Sequence, residues 1–183
     1  MLSIQFEKAT KSHIDAIYTW LEAPRVKEFW DNTPQHREDI LLFVNGRKKP
    51  SPYAEGIFTY WIGSIKNEPY CLLMTSEMLV SPDLPEYYLD CLSKTGKTYS
   101  IDFMIGNKNY VGKGLGAPTL EAFMKYIRAN VDNTIDRFMI DPEEDNTRAK
   151  HVYEKAGFQL ISEFVSTKGS GSGIKHYLMI KDV

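Results

Sequence analysis

The stretch YVGKGLGAPTL, Tyr110–Leu120, sets three glycines at alternate positions and then turns to helix-forming residues. A glycine-rich turn that enters a helix offers backbone N–H groups and the positive end of the helix dipole, an arrangement suited to phosphate. Upstream, YSIDFMIG (Tyr99–Gly106) has the β-branched and aromatic content of a strand. Downstream, Leu120, Phe123, Met124, Ile127 and Val131 recur at helical spacing, and RFMID (Arg137–Asp141) reads as the next strand. Strand, turn, helix and strand make one parallel crossover, so the fold depends on whose phosphate the turn holds.

A nucleotide triphosphate requires Lys and then Ser or Thr after the last glycine, but Gly116 is followed by Ala117 and Pro118. A dinucleotide is better matched: Gly112, Gly114 and Ala117 fit G-x-G-x-x-A, with Asp132 where a ribose-binding acid would stand. Against it, Asp132 falls in the turn NVDNT, and about 65 residues remain for a doubly wound sheet that needs several more strand–helix units. The third reading is the pyrophosphate of an acyl carrier, wrapped by G-x-G-x-G between a strand and a helix. Side chains there would stand between backbone and ligand, and Pro118, lacking a donor, suits a first helical turn.

The remaining chain fills out a mixed sheet with flanking helices. Ser3–Ala9 alternates as a first strand, and Ser12 is placed to cap a helix striped by Ile14, Ile17, Tyr18 and Leu21. PRVKEFWD leads to a helical stretch through Ile40, Phe43 and Val44. GIFTYWIGSIKNEPYCLLMTSEML reads as a hairpin turning at Asn67–Pro69, and PDLPEYYLDCLS as a helix with Leu84, Tyr87, Tyr88, Cys91 and Leu92 on one face. NTRAKHVYEKAG is a helix stopped by Gly157. FQLISEFVS and IKHYLMIKDV are strands on either side of KGSGSG (Lys168–Gly173), read as a plain turn. The expected class is mixed α/β, with about seven strands in one domain over residues 1–183.

Composition excludes several functions. The 22 basic and 24 acidic residues leave a net charge of −2, which gives no electrostatic case for nucleic acid or an anionic membrane. No apolar run approaches membrane length, and the polar N-terminus does not read as a signal peptide, so a cytoplasmic location is expected. Cys71 and Cys91 are read as buried thiols, and His13, His36, His151 and His176 lack ligand spacing, so no metal is expected.

About thirty residues after the glycine turn stands DPEEDNTRAKHVYEKAGF. At this point the chain resembles the GNAT superfamily of acetyl-CoA-dependent N-acetyltransferases. That family pairs a (Q/R)-x-x-G-x-G/A loop with an N-x-x-A-x-x-x-Y-x-x-x-G-F helix. VGKGLG supplies the loop, with Val111 where the family prefers Gln or Arg. Asn146, Ala149, Tyr153, Gly157 and Phe158 match the helix throughout. Within the superfamily the likeness is closest to aminoglycoside 6'-N-acetyltransferases, through IDFMIGNKNYVGKGLG, IDPEEDNTRAKHVYEKAGF and the earlier tryptophan segment and hairpin. Siderophore-precursor acetyltransferases share PRVKEFW.

The resemblance implies acetyl-CoA as cosubstrate, held by Met104, Ile105, Val111, Gly112, Lys113, Gly114, Leu115, Gly116, Ala117 and Asn146. It implies a small-molecule amine acceptor met by Trp30, Glu77, Asp102 and Asp141, and a monomer or homodimer. A siderophore-precursor amine, a protein amine and a silent coenzyme A-binding module are the alternatives. The bulky PSPYAEGIFTYW and PDLPEYYLD segments read as walls of a compact acceptor pocket rather than a peptide groove.

For catalysis, Asp102 is the candidate base. A carboxylate near ~3.9 facing an alkylamine near ~10.4 would be uphill by about 9 kcal/mol. A raised pKa, a relaying water or proton transfer concerted with C–N bond formation is therefore required. Tyr153, near ~10, is matched as an acid to a thiol near ~8.5. Each has a structural reading as well: a strand Asp paired with a loop donor, and a tyrosine on the apolar stripe. For Glu143 and Glu144 helix-dipole complementation suffices, with Asp145 or Asn146 as the cap.

Overall fold

Two left-handed residues fix the first hairpin. In the computed structural model, which describes residues 3–81, 84–167 and 172–183, Lys66 and Asn67 have φ of 52° and 63°. They join Thr59–Ile65 (β2) to Glu68–Glu77 (β3) as a two-residue primed turn, the kind whose twist matches that of paired strands. Ile65 faces Glu68 across this turn, and Pro69, expected in the turn, is already paired with Ser64. The turn therefore lies one residue earlier than the Asn-Glu-Pro composition implies. Ile4–Lys8 (β1) pairs antiparallel with the other side of β2.

The strands are ordered β1-β2-β3-β4-β5-β7-β6 in a seven-stranded sheet. Lys97–Ile105 (β4) runs parallel to Ile135–Ile140 (β5); Lys175–Asp182 (β7) pairs antiparallel with β5 and with Gln159–Val165 (β6). The mixed α/β expectation and its seven strands hold. The chain groups into two compact units. One runs to Ser76 and resumes over Asp102–Leu115; the other comprises Glu77–Ile101 and Gly116–Val183.

The core of the first unit is built by Ile14–Leu21 (α1), Pro24–Lys27 (α2) and Pro34–Val44 (α3) against β2, β3 and the end of β4. Ile17, Leu21, Ile40, Tyr60, Ile62 and Leu72 are fully buried there. Entry into α1 differs from expectation. Thr10, not Ser12, caps a turn of 3-10 helix (Lys11–His13) that leads into it, and the Thr10 N–H donates to His13 Nδ1 at 3.1 Å. A histidine three residues after the cap takes the part usually played by Glu in a capping box.

In the second unit, Gly116–Asn130 (α4) buries Thr119, Leu120, Phe123, Met124 and Ile127. Val131, assigned to the same stripe, lies beyond the helix end and is 46% exposed. Thr147–Lys155 (α5) ends at Gly157, whose φ of 90° needs a glycine. Of the segment read as a helix over PDLPEYYLDCLS, Pro82 and Asp83 lie outside the described residues, and the described remainder holds only a 3-10 turn, Glu86–Cys91, behind Pro85. Cys91 packs with Met139, Phe164 and Leu178. Cys71 and Cys91 are free thiols pushed up to about 12 by burial. The KGSGSG turn falls mainly outside the described residues.

Candidate functional site

Within the first unit, the segment preceding the glycine turn is pinned at several points. The Gly106 and Asn107 N–H groups both donate to the Tyr70 carbonyl, and Arg25 donates to the Gly106 carbonyl. A Cβ on Gly106 would stand 2.1 Å from the Trp20 ring, so only glycine permits this close approach. Tyr110 packs 5.1 Å from the Tyr70 ring and donates to Glu68 Oε2 at 2.6 Å, while Asn107 Nδ2 donates to Glu68 Oε1 at 3.0 Å.

Gly112, Lys113 and Gly114 are exposed, and both glycines are left-handed, with φ of 74° and 70°. An added Cβ at either would meet no protein atom within 4 Å. Within the protein itself, then, the glycines answer to backbone handedness rather than crowding. Gly116 is different: its Cβ would lie 2.6 Å from Val152 Cγ1, so here glycine lets α4 approach α5. An exposed left-handed loop running into a 15-residue helix fits a diphosphate. Pro118 occupies the first turn of that helix, as expected.

Asp102 and Ile105 are half-buried on β4, whereas the Met104 side chain belongs to the first unit's core. Any coenzyme contact of Met104 therefore falls to its backbone. Trp30 packs half-buried against the same core, with Nε1 enclosed and unpartnered among the described residues. Tyr53 stacks on His36 at 4.6 Å, and burial, together with the charges of Asp31 and Asp102, holds its phenol well above the ordinary value. Sequence reasoning missed this group. It missed too the buried knot beneath it, where Asp39 accepts from Arg47, from Ser51 Oγ at 2.6 Å and from Tyr60 Oη at 2.7 Å.

In the second unit Tyr153 is 7% exposed and sits 6.2 Å from the Phe158 ring. Asn146 caps α5, its side chain accepting from the Ala149 N–H at 3.1 Å. Asp141 lies just past the end of β5. Its Oδ2 accepts from Tyr88 Oη at 2.6 Å, its carbonyl accepts from His176 Nδ1 at 2.8 Å, and burial raises its pKa despite the Tyr88 bond. Glu77 faces Lys97 at 3.3 Å, and Lys97 also pairs with Asp132. Glu144 pairs with Lys175 at 2.8 Å rather than acting only on the helix dipole. Burial raises the Glu143 pKa. His151 is exposed on α5. Among the described residues no group of three or more His, Cys, Asp or Glu is arranged to hold a metal, and no helix is long and apolar enough to cross a membrane.

A family model described as the acetyltransferase (GNAT) domain matches residues 9–166. The chain is 26% identical over 157 residues to the aminoglycoside N(6')-acetyltransferase type 1 of Klebsiella pneumoniae, a match covering 86% of this chain and 74% of the relative. The crystal structure of the aminoglycoside N(6')-acetyltransferase of Legionella pneumophila superposes with a TM-score of 0.76 at 27% identity, covering 100% of this chain and 93% of that one. Aminoglycoside acetyltransferase AAC(6')-Ib, solved with coenzyme A and kanamycin, shares the fold, with a TM-score of 0.72, 22% identity and coverage of 98% and 95%.

Proposed function

The chain belongs to the GNAT acetyltransferase family, and from that premise we propose that it moves the acetyl group of acetyl-CoA directly to a primary amine of a small cationic acceptor of the aminoglycoside type. One domain spanning residues 1–183 carries the activity. The observation that carries the reading is the exposed Gly112–Gly114 loop, left-handed at both glycines and continued by the start of α4. Backbone amides between Val111 and Ala117 hold the diphosphate there, Lys113 adds positive charge, and Ile105 and Asn146 flank the cosubstrate. Acetyl-CoA supplies an activated acyl group as a thioester.

The chain's own residues do the rest. Asp102 orients the acceptor amine and takes one of its protons as the C–N bond forms and the C–S bond breaks. Tyr153 gives a proton to the departing sulfur, so the products are an amide and a free thiol. Alignment of the two reactants supplies the larger share, about 7–11 kcal/mol. Trp30 and Asp141 contact the acceptor. Glu77, already paired with Lys97, contributes less.

The 26% identity to a curated aminoglycoside N(6')-acetyltransferase supports the acceptor class. The test is thiol release from acetyl-CoA with kanamycin, spermidine, a hydroxylamine and a lysine peptide. Turnover with kanamycin is expected. Turnover with the peptide alone overturns the acceptor, and binding of acetyl-CoA without turnover of any amine marks a silent coenzyme-binding module.

A further inference from the structure

A carboxylate that the catalytic reading leaves unused ties the glycine turn to the first hairpin. Glu68, exposed at the start of β3, offers one oxygen to each end of the 3-10 turn Lys108–Tyr110. Its Oε1 accepts from Asn107 Nδ2 at 3.0 Å, and its Oε2 accepts from Tyr110 Oη at 2.6 Å. The second length is that of a hydroxyl donating to an ionised carboxylate, the stronger class of hydrogen bond. The Tyr110 bond, then the Asn107 bond, hold the Glu68 carboxyl below its ordinary value.

Inside the turn the backbone bonds are local. The Tyr110 N–H donates to the Asn107 carbonyl at 3.0 Å, and the Val111 N–H to the Lys108 carbonyl at 3.4 Å. Such bonds fix the shape of the turn, not its place. Its start is placed by the Tyr70 carbonyl, which accepts from Gly106 and Asn107. Its end is placed by Tyr110, packed 5.1 Å from the Tyr70 ring and held by Glu68. Lys113 lies over the same ring, with Nζ 5.9 Å from its centre. Tyr110 is thus where hairpin and loop meet. The hairpin closes without the Glu68 side chain, through Lys66 and Asn67.

We propose that Glu68 is a positioning residue for the coenzyme: through Asn107 and Tyr110 it sets the exposed Gly112–Gly114 loop in place before the diphosphate arrives. This rests on the acetyl-CoA reading and deepens it. A loop already ordered in the free protein loses less freedom on binding, so affinity is higher.

Electrostatics alone predicts the opposite sign. An anion beside a diphosphate repels it, so removing Glu68 would tighten coenzyme binding, whereas loss of positioning weakens it. The test is calorimetric titration of the full chain with coenzyme A. Glu68→Ala and Tyr110→Phe are each expected to raise Kd by about 3–10-fold. The KM for acetyl-CoA should rise likewise, with kcat and the amine KM within about twofold of wild type. The double variant should be no weaker than Glu68→Ala, because both changes break one bond. Glu68→Gln keeps the geometry without the charge: its amide oxygen accepts from Asn107 and its NH2 donates to Tyr110 Oη. It should bind within about twofold of wild type, or tighter. In the free protein, amide hydrogen exchange at Tyr110 and Val111 should quicken by about threefold or more in Glu68→Ala and Tyr110→Phe, but not in Glu68→Gln. Tighter binding by Glu68→Ala, additive single effects, exchange at the wild-type rate, or Glu68→Gln binding as weakly as Glu68→Ala overturns the proposal. A wild type that binds no coenzyme A overturns the acetyl-CoA reading and this proposal with it. Wild-type binding matched by every variant overturns this proposal alone.

Discussion

Gly116→Ala is expected to destabilise the fold through a single contact. The new Cβ would lie 2.6 Å from Val152 Cγ1 and 3.3 Å from Cγ2, whereas carbon atoms rest at about 3.5–4.0 Å. About 1 Å of overlap must be relieved. Val152 lies in the interior of α5, where a β-branched side chain has one strongly preferred rotamer, so it cannot swing aside at low cost. Overpacking of this kind costs about 1–3 kcal/mol. The gain from replacing glycine by alanine at a helix start offsets about 0.5 kcal/mol. The net loss of about 0.5–2.5 kcal/mol lowers Tm by about 1–10 °C in a chain of this size. Chemical denaturation of Gly116→Ala, Val152→Ala and the double variant, followed by tryptophan fluorescence, gives the coupling. Because the alanine at 116 would enter the space vacated at 152, the double variant should be about 1–2 kcal/mol more stable than the two single effects added. Additivity within about 0.5 kcal/mol would show that Gly116 is not there for close helix packing.

Four further outcomes are expected. Asp102→Asn should lower kcat by about 10²-fold and remove the acidic limb of its pH profile, with acetyl-CoA affinity within about threefold of wild type. Asp39→Ala, which strands the buried Arg47 cation, should cost about 3–5 kcal/mol, read as loss of cooperative unfolding or a large fall in Tm. Alanine at Gly112 or Gly114 must adopt φ of 74° or 70°; KM for acetyl-CoA should rise, while KM for the amine moves less. For Asp141 the folded pKa is raised above the ordinary 3.8, so its protonated form favours folding below pH 3.8. That contribution is lost as pH rises through the folded pKa, and at pH 7 the buried charge is a cost. Asp141→Asn should therefore raise Tm at pH 7, lose that advantage below pH 4, and weaken acceptor binding throughout.

What could be read from the sequence was what has a short-range cause. The glycine turn, the stripe of α4 and the α5 pattern from Asn146 to Gly157 are each dictated by local backbone handedness or helical period. The GNAT assignment followed from those motifs together. The helix entry at Thr10 was misplaced because His13 replaces the usual glutamate of a capping box. The helix expected after Pro82 shrank to a 3-10 turn behind Pro85. Asp31, His36, Asp39 and Tyr53 carried no periodic signal: Asp39 meets Tyr60 across 21 positions. Nothing in HREDI distinguishes a buried aspartate from a solvated one. Polar residues buried by long-range pairing are where sequence reading loses its footing.

The last strand in the sheet order has a practical consequence. β6 pairs with β7 on one side, and Leu160, Ile161 and Val165 along it are 43%, 39% and 53% exposed. A free backbone edge bearing apolar side chains is a template for adding another chain. Ile161→Lys, which sets a charge on this rim, is expected to reduce association of the chain at high concentration, as read by light scattering.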